Sequence, residues 1–303
     1  MVTSSELGAG TQVVADDWEK RRDELGPEPR QCLVCSAPGP QRLFFRSGKW
    51  FWICRACELV FVHDIYPEFA TDVEHLDGTY DYRSTRPPNA RERSEYARLL
   101  ADFARAKRTN RLLEVGCNQG IFLEVARAAG WEVSGVEILA PVAELARRTR
   151  GLDVRTGDLL QARFDAGVFD VVYTNEVIEH VVDPVELLRE VQRVLRPGGI
   201  ALLRTGNARS WSARLRGGAW SYYRFGGHMH IRYYGPRSAA ALGKAAGFAE
   251  VRTRTRGFAF RESGELRGRA YAAPVRVAQA LISPFAAPLG QGHRLTMIFQ
   301  KGS

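Results

Sequence analysis

The sequence predicts an α/β fold in which a doubly wound, mostly parallel sheet is preceded by a small metal-binding module. Two features of the chain support the sheet. From Arg111 onward, short apolar segments alternate with segments of helical periodicity. The short segments are apolar on both faces, which is typical of parallel strands that helices cover on both sides. The module is indicated by four cysteines that stand in two close pairs near the N-terminus.

The length and composition indicate a globular protein with a basic surface. The 303 residues suffice for one large domain and a small one. Hydrophobic residues make up 45% and charged residues 25%, an ordinary balance for such proteins. The net charge of +9 fits a solvated arginine-rich surface or an anionic partner, namely nucleic acid, a nucleotide-linked sugar or a membrane surface. Because the lysine and arginine runs are short, we favour the solvated surface and disfavour nucleic acid.

Membrane and export signals are not expected. A transmembrane helix needs an apolar stretch of about 18 residues or more, and none is present. Residues 1–20 are polar and acidic, so they lack the apolar core of a signal peptide. We therefore expect a cytoplasmic protein.

The chain divides into a tail, a module, a connector and a main domain. Residues 1–30 are expected to be a mobile tail, because mixed charges precede a Gly-Pro-Glu-Pro sequence. Residues 31–63 contain the cysteine pairs, and residues 64–110 connect them to the main domain and include a helix. The main domain covers residues 111–303, with an insertion at about 258–291.

Local patterns place the elements along the chain. We predict strands at 42–45, 50–53, 112–115, 133–137, 153–156, 169–174, 200–205 and 295–300. Residues 252–256 alternate like one face of a further strand. We predict helices at 90–107, 121–129, 141–150 and 184–195, and another helix that ends near 247. The helix from 184 has the clearest start, with Asp183 as N-cap and Pro184 at its first position.

A glycine-containing loop follows the first strand of the main domain and reads Glu114-Val-Gly116-Cys-Asn118-Gln-Gly120. Gly116 and Gly120 let the backbone pass close to a ligand. Asn118 stands where a further glycine is usual, and asparagine tolerates a positive φ better than other side chains. The loop therefore predicts a ligand-binding turn, in which we interpret Cys117 as a packed residue.

Two carboxylates distinguish this ligand from a dinucleotide. Glu137 ends the second strand of the main domain, where a carboxylate can accept hydrogen bonds from both ribose hydroxyls. The dinucleotide fingerprint G-x-G-x-x-G is not matched, because the spacing is G-x-N-x-G followed by Ile121. Glu114 would repel a diphosphate but suits a cationic ligand that carries an ammonium group. After the third strand, Asp158 can bind an adenine amino group while Leu159 packs on the ring.

Together with residues 169–180 and 195–200, these segments resemble the class I methyltransferases that use S-adenosylmethionine (SAM). The resemblance covers about residues 95–257. It implies a seven-stranded Rossmann-like sheet, SAM as the cofactor and methyl transfer as the reaction. The residues that it implies for the cofactor site are Glu114, Gly116 and Gly120 around the methionine part, Glu137 at the ribose, Asp158 and Leu159 at the adenine, and Asn175 and Glu176 beneath the sulfonium. Asn118 and Ile138 are further cofactor-binding candidates.

The cysteines form two C-x2-C pairs, Cys32 with Cys35 and Cys54 with Cys57. This spacing is typical of a four-cysteine zinc site of the zinc-ribbon kind. Such a site has no open coordination position, so we predict a structural Zn2+ that the small module needs in order to fold. An unmetallated remnant and a redox pair remain the alternatives. Glu58 follows the second pair, where glycine commonly eases the turn.

Histidines and aromatic residues after the fifth strand of the main domain suit a pocket for the methyl acceptor. An oxygen or carbon acid needs a base, and histidine is a frequent one. We name His230, His228 and His180 as catalytic candidates. A structural or substrate-orienting role is the alternative for His230, and a structural or gating role is favoured for His180.

The combination of cysteine module, methyltransferase core and His-x-His-x-x-Tyr-Tyr segment resembles a bacterial subgroup that includes zinc-containing sugar C-methyltransferases. It implies a small-molecule acceptor, methylated at O or C: a nucleotide-linked sugar, a glycan precursor or a specialised metabolite. An RNA methyltransferase is the first alternative. The loop after the fourth strand, Asn175-Glu-Val-Ile, lacks the proline pair typical of enzymes that methylate base amines. A non-catalytic SAM-binding scaffold is the second, although Glu137 and Asp158 argue for retained binding.

Two further segments have open interpretations. Residues 274–288 are apolar, which suits a lid, a dimer contact, a membrane-surface patch or plain packing on the core. Tyr80 and Tyr82 in the connector either cover the active site or simply pack. The sequence predicts no oligomeric state.

Overall fold

The computed structural model describes residues 28–46, 49–63, 86–223, 230–259 and 273–303. Its strands are β1 (Gln41–Arg46), β2 (Lys49–Ile53), β3 (Val60–Val62), β4 (Arg111–Val115), β5 (Glu132–Glu137), β6 (Asp153–Thr156), β7 (Phe169–Asn175), β8 (Leu195–Gly206), β9 (Arg232–Tyr233), β10 (Glu250–Arg256) and β11 (Arg294–Gln300). Its helices are α1 (Ala90–Phe103), α2 (Ile121–Ala128), α3 (Ala140–Arg150), α4 (Leu159–Ala162), α5 (Pro184–Val194), α6 (Trp211–Arg216), α7 (Pro236–Ala245) and α8 (Ala273–Ala286). Short 3₁₀ turns cover Ala104–Ala106, Ile178–His180 and Gly217–Ala219.

A seven-stranded sheet forms the centre of the main domain, in the order β10-β11-β8-β7-β4-β5-β6. The strands from β8 to β6 are parallel to their neighbours, whereas β11 runs antiparallel to both β8 and β10. The predicted α/β fold with a mostly parallel sheet is therefore confirmed. Because the carboxyl ends of β4, β5, β6 and β7 share one edge, the loops that follow them are brought together there.

The central strands are buried on both faces, as their apolar composition predicts. One apolar cluster contains Leu113, Val172 and Leu203. A second contains their chain neighbours Leu112, Val171 and Leu202. All six side chains are at most 2% exposed, and successive residues of a strand point to opposite faces. Burial on both faces explains why these strands read as continuous apolar runs instead of alternating ones.

The turn from α5 into β8 differs from its prediction. The start of α5 agrees, because the Asp183 carboxylate accepts hydrogen bonds from the backbone N–H groups of Val185 and Glu186 at 3.0 and 2.9 Å. The helix ends at Val194, and β8 begins directly at Leu195 instead of after the Pro-Gly-Gly sequence. Leu195 already pairs with Phe169 of β7 across an irregularity in the register, so long-range pairing overrides the local turn signal.

A second, four-stranded antiparallel sheet has the order β1-β2-β3-β9. Its first three strands belong to the cysteine module, but β9 comes from the segment that carries the predicted acceptor histidines. The Arg232 guanidinium is buried there and donates to the carbonyl oxygens of Val62 and Val182 at 2.6 and 3.0 Å. The module is thus joined to the acceptor segment. The division of the chain into domains remains a prediction.

The apolar segment 274–288 forms most of α8 and the turn after it. Val277, Leu281, Phe285 and Leu289 stand four residues apart, and each is between 57% and 68% exposed. These side chains form a stripe that does not pack on the core, whereas Ala286 is buried. Within the described ranges, no helix is long and apolar enough to cross a membrane.

Candidate functional site

The loop after β4 adopts the left-handed turns that its sequence predicts. The φ angles of Gly116, Asn118 and Gly120 are 72°, 49° and 74°. A Cβ at Gly116 would lie 2.5 Å from the Cγ2 atom of Val177, so only glycine fits there without movement. The Asn118 side chain accepts a hydrogen bond from the backbone N–H of Gln119 at 2.6 Å, which supports the turn locally.

Glu114 and Glu137 place two carboxyl groups beside this loop, and each residue is only 7% exposed. Glu137 accepts hydrogen bonds from the backbone N–H groups of Asn118 and Leu139 at 2.9 and 3.0 Å. Among the described residues, the Glu114 Oε2 atom has no hydrogen-bond partner. Burial, together with the charge of Glu137, raises the pKa of Glu114 well above its ordinary value. Burial also raises the pKa of Glu137, although its backbone hydrogen bonds oppose this.

An unpaired buried carboxyl oxygen is unfavourable unless a ligand completes its interactions. The Glu114 oxygen therefore fits a ligand that brings an ammonium group, as SAM does. Glu137 uses only part of its accepting capacity on the backbone, since a carboxylate offers about four lone-pair positions. Ribose hydroxyls can occupy the others.

The remaining predicted cofactor residues differ in accessibility. Asp158 is exposed and caps α4 by accepting from the Gln161 N–H at 2.7 Å. Ile138 is 40% exposed, and Asn175 and Glu176 are exposed at the end of β7. Leu159 is fully buried in the core, so in this conformation its side chain presents no face to an adenine ring. The cap at Asp158 starts a helical turn that directs Leu159 inward.

Tyr96 of α1 also belongs to the surroundings of Glu114, although the sequence did not single it out. Burial and the charge of Glu114 raise its pKa to about 12. Its ring packs edge-on against Phe122 with a centroid distance of 5.2 Å. Helical periodicity indicates which face of α1 is buried, but it carries no signal that this tyrosine lies near a carboxylate.

A second acidic group lies beyond β7 and centres on the Tyr222 hydroxyl. This hydroxyl lies 2.5 Å from the Glu179 Oε1 atom and 2.8 Å from the Glu176 Oε2 atom. It also accepts from the backbone N–H of Gly206 at 3.0 Å. Glu179 is fully buried, and its Oε2 atom has no hydrogen-bond partner within the described ranges. Glu176 adopts a left-handed φ of 55°, a strained conformation that is common at functional sites.

The protonation of this group follows from its crowding. Glu176 is accessible to solvent but closely surrounded by protein, and this desolvation with the charge of Glu179 raises its pKa to about 8. Burial likewise raises the pKa of Glu179, and burial and both carboxylates raise that of Tyr222 far above its ordinary value. Because the pKa values of both glutamates are raised, this pair keeps a proton to higher pH than free carboxyl groups do, while the Tyr222 hydroxyl lies within donating distance of both.

His180 and His230 join this group, and His228 lies outside the described residues, as do Tyr80 and Tyr82. The His180 and His230 rings are 4.8 Å apart between centroids. His230 Nδ1 lies 3.0 Å from the backbone carbonyl oxygen of Tyr222. A carbonyl oxygen only accepts, so we assign the proton to Nδ1 and a lone pair to Nε2. The ligand atoms of Glu179, His180 and His230 all lie within 4.8 Å of one another.

Neither Glu179 nor Tyr222 is among the residues for which the sequence predicts a role. A usable signal for Glu179 is its position in the loop after β7, three residues beyond Glu176, because side chains of such loops gather at the carboxyl edge of a parallel sheet. Tyr222 has no comparable signal, because its neighbours Glu176 and Glu179 lie far away in the sequence.

The four cysteines come together as their spacing predicts. Sγ atoms of Cys32 and Cys57 lie 3.7 Å apart, those of Cys35 and Cys54 lie 3.5 Å apart, and all four lie within 4.8 Å of one another. None forms a disulfide. Tetrahedral zinc with Zn–S bonds of about 2.3 Å separates its sulfurs by about 3.8 Å, so the donor set fits zinc. Cys117 is separate and packs in its turn, 4% exposed, against the chain at Gly135.

The turn after the second cysteine pair contains a compensation for its missing glycine. Glu58 adopts a left-handed φ of 62°, which is costly for a residue with a Cβ. Its N–H donates to the Cys54 carbonyl at 2.8 Å, and its carboxylate lies 3.1 and 3.2 Å from the Arg209 and Arg237 guanidinium groups. The side chain thus connects the cysteine module to the C-terminal part of the chain.

Comparison with known proteins agrees with the fold and with the methyltransferase family. A family model described as a methyltransferase domain matches residues 89–253. This range contains the loop after β4, both carboxyl residues beside it and the second acidic group up to His230. The match confirms the resemblance that the sequence motifs carry at the level of the family.

Two curated relatives share a name. The ubiquinone biosynthesis O-methyltransferase of Caulobacter vibrioides is 39% identical over 103 residues, which are 32% of this chain and 40% of that protein. The protein of the same name from Ruegeria sp. (strain TM1040) is 29% identical over 170 residues, 51% of this chain and 69% of that protein. The chain spans less than half the length of the first relatives it matches, 40% and 47%.

Among solved structures, the geranyl diphosphate C-methyltransferase from Streptomyces coelicolor A3(2) superposes with a TM-score of 0.51. The sequence identity is 17%, and the match covers 79% of this chain and 100% of that one. At this identity the likeness concerns the fold alone.

Proposed function

Because the chain belongs to the methyltransferase domain family, we propose that it transfers a methyl group from SAM to a hydroxyl oxygen of a small molecule. The observation that carries this proposal is the buried, unpaired Glu114 carboxyl beside a left-handed loop, next to a second polar group that suits an acceptor. Relatives named O-methyltransferases support oxygen as the acceptor atom. The nucleotide-linked sugar implied by the subgroup resemblance is one acceptor class among those to be tested.

When bound, SAM supplies a methyl group that is activated by its attachment to a positively charged sulfur. Glu114 pairs with the ammonium group, and ionisation of its carboxyl accompanies this pairing. Glu137 accepts from the ribose hydroxyls, and Asp158 binds the adenine amino group. Gly116 keeps the loop backbone free of a side chain on the side of Val177.

Catalysis requires alignment of the acceptor oxygen and removal of its proton. The oxygen forms a bond to the methyl carbon as the carbon–sulfur bond breaks, so a neutral thioether leaves and the hydroxyl proton is released. A polar group lies beyond the end of β7, and β7 pairs directly with β4. This group consists of Glu176, Glu179, Tyr222, His180 and His230. The close approach of Val177 to Gly116 supports a short distance between cofactor loop and acceptor site.

The proposal is tested by calorimetric titration with SAM and by transfer of labelled methyl groups to a panel of hydroxyl compounds. Replacing Glu137 by Ala should weaken SAM binding by about 1–3 kcal/mol, because ribose hydroxyls lose their acceptor. Glu132→Ala is the matched control, since Glu132 lies on the same strand but is exposed and forms an ion pair with Arg111. Unchanged affinity in Glu137→Ala would show that the ribose assignment is wrong.

The labelled product also separates the alternative functions. Label in RNA, with binding that weakens in salt, would replace the small-molecule acceptor by nucleic acid. SAM binding without transfer to any acceptor class would instead favour a scaffold.

We further propose that the cysteine module holds one structural Zn2+ ion. Four thiolates at these distances support it, and they leave no position for a substrate. Metal analysis should find zinc in the purified protein, and Cys54→Ser should lose it and lower the unfolding temperature. Cys117→Ser is the control, because Cys117 lies outside the cluster. Full zinc content in Cys54→Ser would contradict the site.

A further inference from the structure

A cluster outside the cysteine module has the composition of a second metal site. We propose that Glu179, His180 and His230 bind a first-row divalent cation, such as Mn2+, Fe2+, Co2+ or Zn2+, that holds the acceptor oxygen. The inference rests on the proposed function, since it assigns the acceptor side of the same site. It concerns a different ion and a different role from the structural zinc.

The donor set is the first argument. One ligand atom from each of the three residues lies within 4.8 Å of the others. Two imidazoles and one carboxylate, with further positions open to water or substrate, are typical of catalytic sites for first-row divalent metals. Such a site differs from the four-thiolate module, whose soft ligands select zinc.

An independent observation points to a ligand at this place. Glu179 has no exposed surface, and its Oε2 atom has no hydrogen-bond partner among the described residues. Its Oε1 atom accepts from Tyr222, so the carboxylate is oriented and only one oxygen is left over. Burial of a carboxylate oxygen without a hydrogen-bond partner is energetically unfavourable, and a bound cation would compensate for the lost interactions with water.

The backbone keeps the three residues together. The Ile231 N–H donates to the Glu179 carbonyl oxygen at 2.8 Å, which fixes the neighbours His230 and His180 beside each other. The Tyr222 carbonyl orients the His230 ring so that Nε2 carries the lone pair, the form in which imidazole binds metals. Orientation of a metal-binding histidine through its other nitrogen is a regular feature of metal sites.

The cation would bind the acceptor hydroxyl and assist the loss of its proton. Three protein ligands leave coordination positions for an acceptor hydroxyl, and a metal-bound oxygen releases its proton to water more readily than a free one. The resulting oxygen then attacks the methyl carbon as described above. In this arrangement His230 is a metal ligand, which replaces its predicted role as a base.

The experiment uses Mn2+ as the probe, because thiolates bind it poorly and the cysteine module keeps its zinc. Electron paramagnetic resonance follows the free Mn2+ signal during titration of the full chain, with and without SAM, after metal analysis of the starting protein. We expect either bound Mn2+ that saturates or a second metal ion already present beside the zinc. Glu179→Gln and His230→Gln should each weaken Mn2+ binding by at least about tenfold.

His63→Gln is the matched control, since His63 is exposed and lies outside the cluster. It should bind Mn2+ as the unaltered chain does. Calorimetry with SAM on every variant shows whether the cofactor side is intact and the protein folded. If neither a second metal nor bound Mn2+ is found while SAM binds, the metal site is refuted and the methyltransferase proposal stands. Wild-type Mn2+ affinity in both variants would refute it too, whereas loss of SAM binding by the unaltered chain would contradict the proposed function itself.

Discussion

Two acidic pairs lie at the same edge of the sheet, and their surroundings separate their proposed roles. Glu114 and Glu137 stand on neighbouring strands beside backbone N–H groups. Glu176 directly follows β7 and Glu179 lies in the 3₁₀ turn after it, beside a phenol and two imidazoles. In each pair one buried oxygen, Glu114 Oε2 or Glu179 Oε2, has no hydrogen-bond partner in the part of the chain that the structure describes. A positively charged ligand would therefore stabilise either pair, and the neighbouring groups determine whether an organic cation or a metal ion fits better.

Around Glu114 lie the Glu137 carboxyl and the Tyr96 side chain, and among the described residues these two carboxyl groups belong to no cluster of three or more metal ligands. An organic cation with its own hydrogen-bond donors satisfies such a place. Around Glu179 the two histidines supply imidazole nitrogens, which together with the carboxylate form a set of metal ligands. An unpartnered carboxyl oxygen is thus expected to bind an ammonium group at Glu114 and a divalent cation at Glu179.

The sharpest test of this comparison exchanges each carboxylate for its amide. Glu179→Gln should lower kcat by about 100-fold or more, because the acceptor proton is no longer removed efficiently, and SAM affinity should stay unchanged. Glu114→Gln should instead weaken SAM binding by about 1–3 kcal/mol, because the ammonium group loses a charged partner. Steady-state kinetics and calorimetry on both variants separate the effects. If both variants changed kcat and SAM affinity in the same way, the two acidic pairs would share one role.

The pH dependence of SAM binding tests the Glu114 pair alone. Because its pKa is raised above the ordinary 4.5, the free protein holds a proton there that pairing with an ammonium group displaces. SAM affinity should therefore rise with pH up to the raised pKa, by at most about tenfold per pH unit for one proton. Calorimetry in buffers of different ionisation enthalpy measures the proton release directly.

The folding stability of the free protein should fall as the pH rises, because it depends on the same Glu114 carboxyl group. A raised pKa in the folded state stabilises the chain fully below the ordinary value and loses this contribution as pH rises toward the folded value. Glu114→Gln should flatten this decline and abolish proton release on SAM binding, whereas Glu132→Gln should leave both as they are. Proton release that persists in Glu114→Gln would assign it to another residue.

The cofactor side was more predictable from the sequence than the acceptor side, and the reason is physical. Glu114 and Glu137 end strands that pair in register, so strand order and the sheet edge suffice to bring them together. The positive φ of Asn118 follows from its residue type. These features are local, whereas the packing of Leu159 depends on a four-residue helical turn that Asp158 caps and that is too short to show helical periodicity.

The acceptor side depends on contacts between distant segments. Glu179 meets His230 through a hydrogen bond from Ile231, and His230 in turn precedes the two-residue strand β9. A strand of that length has no periodicity to read. Its partner β3 lies in the cysteine module, so the placement of the histidines depends on a pairing between two regions that the sequence presented as separate.

The smallest effect expected concerns the contact that connects the two acidic pairs. Val177 lies between Glu176 and Glu179 in the chain, and its Cγ2 atom occupies the space that a side chain at Gly116 would need. Gly116→Ala should therefore destabilise the protein by about 1 kcal/mol more than Gly151→Ala. Gly151 shares the left-handed φ, at 59°, but has open space around it, so the control isolates the clash from the backbone strain.

A displacement of Val177 in Gly116→Ala should also affect both the cofactor site and the acceptor site. In Gly116→Ala, SAM affinity and kcat should fall together, and Val177→Ala in the same chain should restore part of both, because it removes the clashing methyl groups. Thermal unfolding, calorimetry and kinetics on the single and double variants give the coupling between the two positions. Additive effects of the two substitutions would mean that the acidic pairs function independently, and that their closeness at the sheet edge has no mechanical consequence.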